Sequence, residues 1–170
     1  MVRRTIRSSE QGFTSAELMI ILAVGVIIAA AGIPAVSTTL NDFNLVLSGQ
    51  QLANQLQFAR MRAVSSNEML RVRFDVATGT YQIELEDGTV HTGPFTLPRG
   101  VDLNAADGDP VSFPGDELLF LPNGALPING TGSAGRVKLV GRTGLKIDIV
   151  VDSGGMVRTT PSYKSASPAF

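Results

Sequence analysis

Residues 18 to 36 read LMIILAVGVIIAAAGIPAV, nineteen positions with no charged or polar side chain. Coiled as a helix, such a run spans roughly 28 Å at about 1.5 Å per residue, close to the hydrocarbon thickness of a bilayer. It predicts a membrane-crossing helix rather than a core element. Arg3, Arg4 and Arg7 precede it with only Glu10 opposing, so the positive-inside bias leaves the amino terminus in the cytoplasm and sends the remainder outward. A secretory signal peptide is the competing reading, with a basic start, an apolar stretch, and Ala29, Ala30 and Ala31 as an A-x-A-like cleavage site. It would make the mature chain a secreted soluble domain. Glu17 argues against it, because a carboxylate at the head of an apolar run is costly in hydrocarbon and marks a functional position. The residue order argues the same way: the small Gly12 precedes the run, and a cut there would leave the apolar helix on the mature protein.

Gly12, Phe13, Thr14 and Glu17, in the string GFTSAEL, followed by an apolar run containing Pro34, resemble the class III signal of type IV prepilins and type II secretion pseudopilins. The resemblance implies that a prepilin peptidase cuts after Gly12 and methylates the new amino terminus at Phe13, and that the mature helix waits in the inner membrane. Ser15 and Ala16 depart from the more usual Leu and Ile. Charge physics alone suggests a role for Glu17. Opposite charges about 4 Å apart attract by about 1 kcal/mol in water and roughly 4 kcal/mol at an effective dielectric near 20. The free amine of Phe13 is the candidate partner, and a carboxylate resting at headgroup level is the plain alternative. The resemblance implies that this pairing also operates between neighbouring subunits entering a filament. Pro34 lacks an amide hydrogen and crowds the carbonyl of Ala30, so it is expected to kink or loosen the helix.

Beyond Ser37, Thr38 and Thr39 a helical period resumes. Leu45, Leu52, Leu56, Ala59 and Ala63 make one apolar stripe, while Gln50, Gln51, Asn54, Gln55, Arg60 and Arg62 fall largely off it. One helix over about 14 to 65 follows, its second half laid on a globular head, with Gly49 a weak point. From Met69 the period changes to two. Leu70, Val72, Phe74 and Val76, then Tyr81, Ile83 and Leu85, alternate with polar residues across a short link, which predicts a hairpin. Asp87-Gly88 is a turn signal into a third strand near 89 to 92. Residues 93 to 117 read as loop, with four prolines, and further strands are expected at 118–121, 136–140, 145–151 and 156–159. The fold class is α+β: a long amino-terminal helix packed on an antiparallel β-sheet head. With the strings FLPNG, Gly135-Arg136 and DSGGMVR, this order looks like the GspH/FimT group of minor pseudopilins, whose heads carry two meandering sheets.

Chemistry is sparse. The chain has 170 residues, no Cys and one His, which removes disulfides, zinc-thiolate sites and cysteine nucleophiles and leaves the commonest general base nearly unrepresented. No catalytic residue, cofactor or metal site is expected. His91 stands without partner acids at fixed spacing and reads as a surface residue. Asp107, Asp109, Asp116 and Glu117 offer carboxylates for calcium, but EF-hand spacing is absent and they read as a solvated loop. The net charge is -1, so a nucleic-acid partner would need a local patch. Arg136, Lys138, Arg142, Lys146 and Arg158 are the candidate basic patch, set against an acid-rich stretch from 68 to 117; opposite patches could order subunits head to tail, and solvated strand faces explain the same residues. FimT-like proteins that take up DNA carry a G-R-x-R string where this chain has Gly155, Met156, Val157 and Arg158. Only the last arginine remains, too little for useful counterion release, and nucleic acid is not the expected partner.

The sequence therefore divides into a leader at 1–12, a transmembrane half-helix at 13–36, an amphipathic half at 37–67, a β-rich head at 68–160 and a flexible tail at 161–170. The expected protein is a minor pseudopilin of a type II secretion system. Its partners would be a prepilin peptidase, the other pilins or pseudopilins of its filament, and the inner membrane, with the head in the periplasm. A FimT-like minor pilin of a type IV pilus, one that contacts DNA during uptake, is the alternative within the same resemblance.

Overall fold

The computed structural model describes residues 13–103, 109–127 and 134–164, with 31–37 described by backbone only. The chain divides into two compact units, Met1–Ser37 and Thr38–Phe170. Helix α1 (Ser15–Ser66) contributes to both. In the first unit the large apolar side chains from Leu18 to Ile28 are exposed. Among the described residues no helix is long and apolar enough to cross a membrane; the apolar run continues through 31–36, whose side chains lie outside that description.

In the second unit α1 lies on two antiparallel sheets. β1 (Leu70–Asp75), β2 (Thr80–Leu85), β3 (Val90–Thr96) and β5 (Glu117–Phe120) form the first, in the order β3-β2-β1-β5. β4 (Val101–Asp102), β6 (Gly135–Gly141), β7 (Leu145–Val151) and β8 (Val157–Thr159) form the second in that order, and β9 (Tyr163–Lys164) also pairs with β7. Alternation places Leu70, Val72, Phe74, Ile83, Leu118 and Phe120 of the first sheet in one core with Val137, Leu139, Ile149 and Val151 of the second. The helix stripe of Leu45, Leu52, Leu56, Ala59 and Ala63 is fully buried in that core. Gly49, helically unfavourable, has a packing reason: a Cβ there would stand 3.2 Å from Ile147 Cγ2 of β7.

Three elements differ from the expectations above. The third strand runs on through Pro94 to Thr96, because β3 is an edge strand and an edge tolerates a residue without an amide hydrogen. The loop-like stretch contains β4 and a 3-10 turn at Pro114–Asp116. Tyr163 and Lys164, read as part of a flexible tail, form β9; the remaining tail, 165–170, lies outside the described residues.

Candidate functional site

Gly12 lies outside the described residues. Phe13 is exposed, and α1 begins two residues later. Thr14 and Glu17 have the T-x-x-E spacing of a capping box. The Thr14 amide and hydroxyl both donate to Glu17 Oε2, at 2.9 and 3.0 Å, and the Glu17 amide donates back to Thr14 Oγ1 at 3.2 Å. A negative charge at this place also complements the positive end of the helix dipole. The carboxylate thus rests one peptide unit from the Phe13 nitrogen. The T-x-x-E spacing that makes Thr14 the partner of Glu17 is legible in the sequence. Pro34 lies inside α1, which is helical on both sides of it.

The three strings that carried the resemblance of the head are packing devices. The FLPNG turn and the DSGG turn meet at Arg60 of α1, whose Nε donates to the Gly124 carbonyl at 2.9 Å and whose Nη2 donates to the Gly154 carbonyl at 3.1 Å. Leu126 N–H donates to the Ser153 carbonyl at 3.0 Å between the same turns. Gly155 has φ +75°, and a Cβ on it would overlap the Gly124 carbonyl. A Cβ on Gly124 would stand 2.9 Å from Val64 Cγ2, and one on Gly135 would stand 2.5 Å from the Phe113 ring. Arg60 therefore ties helix and both sheets together, a role that periodicity could not reveal because only the folded turns bring its acceptors together.

Charge is organised by sheet face. On the first sheet Arg73 grips Glu117 Oε1 through Nε and Nη2 at 2.9 and 2.5 Å, and Arg71 Nε lies 3.3 Å from Glu117 Oε2. Arg73 also lies 4.0 Å from the buried Glu84, which accepts from Gln82 at 2.6 Å. The carboxylate of Glu117 raises the Arg73 guanidinium further above its ordinary value. Part of the acid-rich stretch is thus neutralised in place. On the second sheet, register puts Arg136, Lys138, Lys146 and Asp148 on one face with Arg158. Arg136, Arg142 and Arg158 are exposed, whereas Lys138 and Lys146 are buried. The candidate basic patch is therefore a face with exposed arginines around two sunken lysines, and it also carries two carboxylates, Asp148 and Asp102.

No group of three His, Cys, Asp or Glu able to hold a metal ion occurs among the described residues. Asp109 Oδ1 accepts from the Val111 amide at 3.2 Å, Glu117 is engaged by the arginines, and Asp107 lies outside the description. Burial, with the nearby charge of Asp109 adding to it, raises the Asp116 carboxyl above its ordinary value. His91 sits exposed on the edge strand β3.

The family described as Type II transport protein GspH matches residues 48–155, the span holding the last third of α1 and most of both sheets. No curated protein matches. Among solved structures, the type IV minor pilin FimU of Pseudomonas aeruginosa PAO1 superposes with a TM-score of 0.52 at 15% identity, covering 69% of this chain and 88% of that one. The minor pseudopilin EpsH from the type II secretion system of Vibrio cholerae gives 0.50 at 16% identity, covering 72% and 97%. Both likenesses concern the fold.

Proposed function

The chain belongs to the GspH family, and from that membership we propose that it is a minor pseudopilin, a structural subunit of the pseudopilus that drives protein export, and not an enzyme. The observation that carries the reading is the conjunction of GFTSAEL, ahead of an apolar run, with a head of the family's fold. In this reading the apolar residues from 18 to 36 hold the precursor in the inner membrane with the head in the periplasm. A prepilin peptidase cuts between Gly12 and Phe13 and methylates Phe13. Pro34 loosens the helix for packing among its neighbours.

Cleavage places a cationic amine at Phe13, beside the carboxylate already held against the Thr14 amide. At about 4 Å and an effective dielectric near 20 the attraction is roughly 4 kcal/mol, enough to favour entry of a subunit whose carboxylate meets a neighbour's amine. A minor pilin of a type IV pilus would use the same residues, and the subunits that co-purify decide between the two filaments. The test is Glu17→Val. It removes a charge from lipid, so insertion should persist, while incorporation with the other pilin-like subunits should fail. Normal co-purification of the variant would refute the pairing role.

A further inference from the structure

Strand β7 carries two partners along one edge. β8 pairs with it at Ile149, Val150 and Val151, and β9 pairs at Leu145 and Lys146. Between them Thr160 clasps Asp148: its amide donates to the Asp148 carbonyl at 2.9 Å, and its hydroxyl accepts from the Asp148 amide at 3.0 Å. The chain then arches through Pro161 and Ser162 into β9, a strand of two exposed residues. Its side-chain anchor is the Tyr163 hydroxyl, which donates to Asp148 Oδ2 at 2.9 Å. Asp148 is 8% exposed, and its other oxygen, Oδ1, is buried without a hydrogen-bond partner. The arch borders an open cavity of about 420 Å³, lined by the apolar Val46 and Ile147 and by Gln50, Thr160, Pro161 and Ser162.

A two-residue strand, an anchoring carboxylate left half satisfied, and unfilled space beside the arch are features of a seal that can lift. We propose that β9 is a detachable strap over a strand-acceptor site, and that the edge it vacates on β7 takes an extended segment of a neighbouring filament subunit. The main-chain groups at Leu145 and Lys146 would pair with that segment, and the cavity would take one of its apolar side chains, the division of labour by which sheet edges bind peptides. Arg136, Lys138, Lys146 and Arg158 share the outer face with two carboxylates, Asp102 and Asp148, so cations still outnumber anions there, and the fitting segment is neutral to acidic and offers a hydrogen-bond donor to Asp148. That the occupant is a filament subunit rests on the function proposed above; the acceptor itself does not.

The chain has no cysteine, so Leu145→Cys with Lys164→Cys, a register pair, gives a strap that locks on oxidation and frees on reduction. The full-length double variant in detergent is titrated with a fluorescent peptide, TTPSYE, the sequence of residues 159–164 carrying Lys164→Glu. The reduced form is expected to bind at least about ten-fold tighter than the oxidised form, and Tyr163→Phe alone is expected to tighten binding to the otherwise unaltered chain. Equal binding by oxidised and reduced forms, or binding by neither, overturns the strap. In the producing bacterium the oxidised double variant should lose co-purification with other pilin-like subunits, while Leu145→Ser with Lys164→Ser keeps it. Equal retention by the two overturns the assignment of the occupant. If the unaltered chain itself co-purifies with no such subunit, the filament reading has failed, and the peptide titration still decides the strap.

Discussion

Replacing Gly155 by Ala should cost far more than the same change at Gly144, although both glycines have nearly the same backbone, φ +75° and φ +78°. The left-handed conformation costs an L residue about 1–2 kcal/mol at either position. At Gly144 nothing lies within 4 Å of the added Cβ, so that cost is the whole effect. At Gly155 the Cβ would overlap the Gly124 carbonyl, and the two turns must separate to admit it. Separation stretches the Arg60 bonds to Gly124 and Gly154 and the bond from Leu126 to Ser153. Hydrogen bonds from a charged donor contribute about 1.5–3 kcal/mol each and a neutral one about 0.5–1.5, so partial loss adds roughly 2–4 kcal/mol. For a unit the size of Thr38–Phe170, each kcal/mol shifts Tm by about 3–5 °C. Thermal unfolding of a soluble head, residues 38–170, followed by circular dichroism, should therefore place Gly155→Ala roughly 6–20 °C below Gly144→Ala. Two variants melting within about 2 °C of each other would show that the contact between the FLPNG and DSGG turns does not hold the head together.

Leu56→Ala should lower the Tm of the same head by several degrees, since emptying a fully buried Leu site costs about 2–5 kcal/mol, whereas Gln55→Ala should change it by little; equal losses would mean that the stripe is not the seam between helix and sheets. The two tyrosines should both resist ionisation at their ordinary 10.0: burial pushes Tyr81 up to about 12, and burial with the bond to Asp148 raises Tyr163. Folded values above the unfolded ones mean that this stabilisation is complete below about pH 10 and disappears as pH rises through the folded values. Ultraviolet titration should show Tyr163→Phe losing the earlier of two steps, and a single step at 10 in the folded head would contradict both environments.

Local periodicity made α1 legible to within a residue or two, because an apolar stripe at helical spacing has one plausible use. The hairpin of β1 and β2 was equally plain, since Val72, Phe74, Tyr81 and Ile83 alternate with polar partners. What alternation could not carry was the division into two sheets, which depends on β5 returning to β1 and β4 pairing with β6 across long separations. β9 was missed because a two-residue strand has no period, and its reason for docking, Tyr163 on Asp148, is a tertiary contact. Among the candidate site residues, Glu17 was singled out on charge alone, yet its Thr14 partner needed the capping geometry. Lys138 and Lys146 read as surface cations from the sequence, but packing beside Asp148 buries both.

The central claim is that this chain is processed as a pilin-like precursor, and the mass of its mature amino terminus tests that most directly. Purified from membranes of the producing bacterium and analysed by mass spectrometry, the protein should begin at Phe13 with one added methyl group, and Gly12→Val should remain uncut. A mature terminus beyond Ala31, or an unaltered mature mass in Gly12→Val, would contradict it and return the chain to the secreted-domain reading.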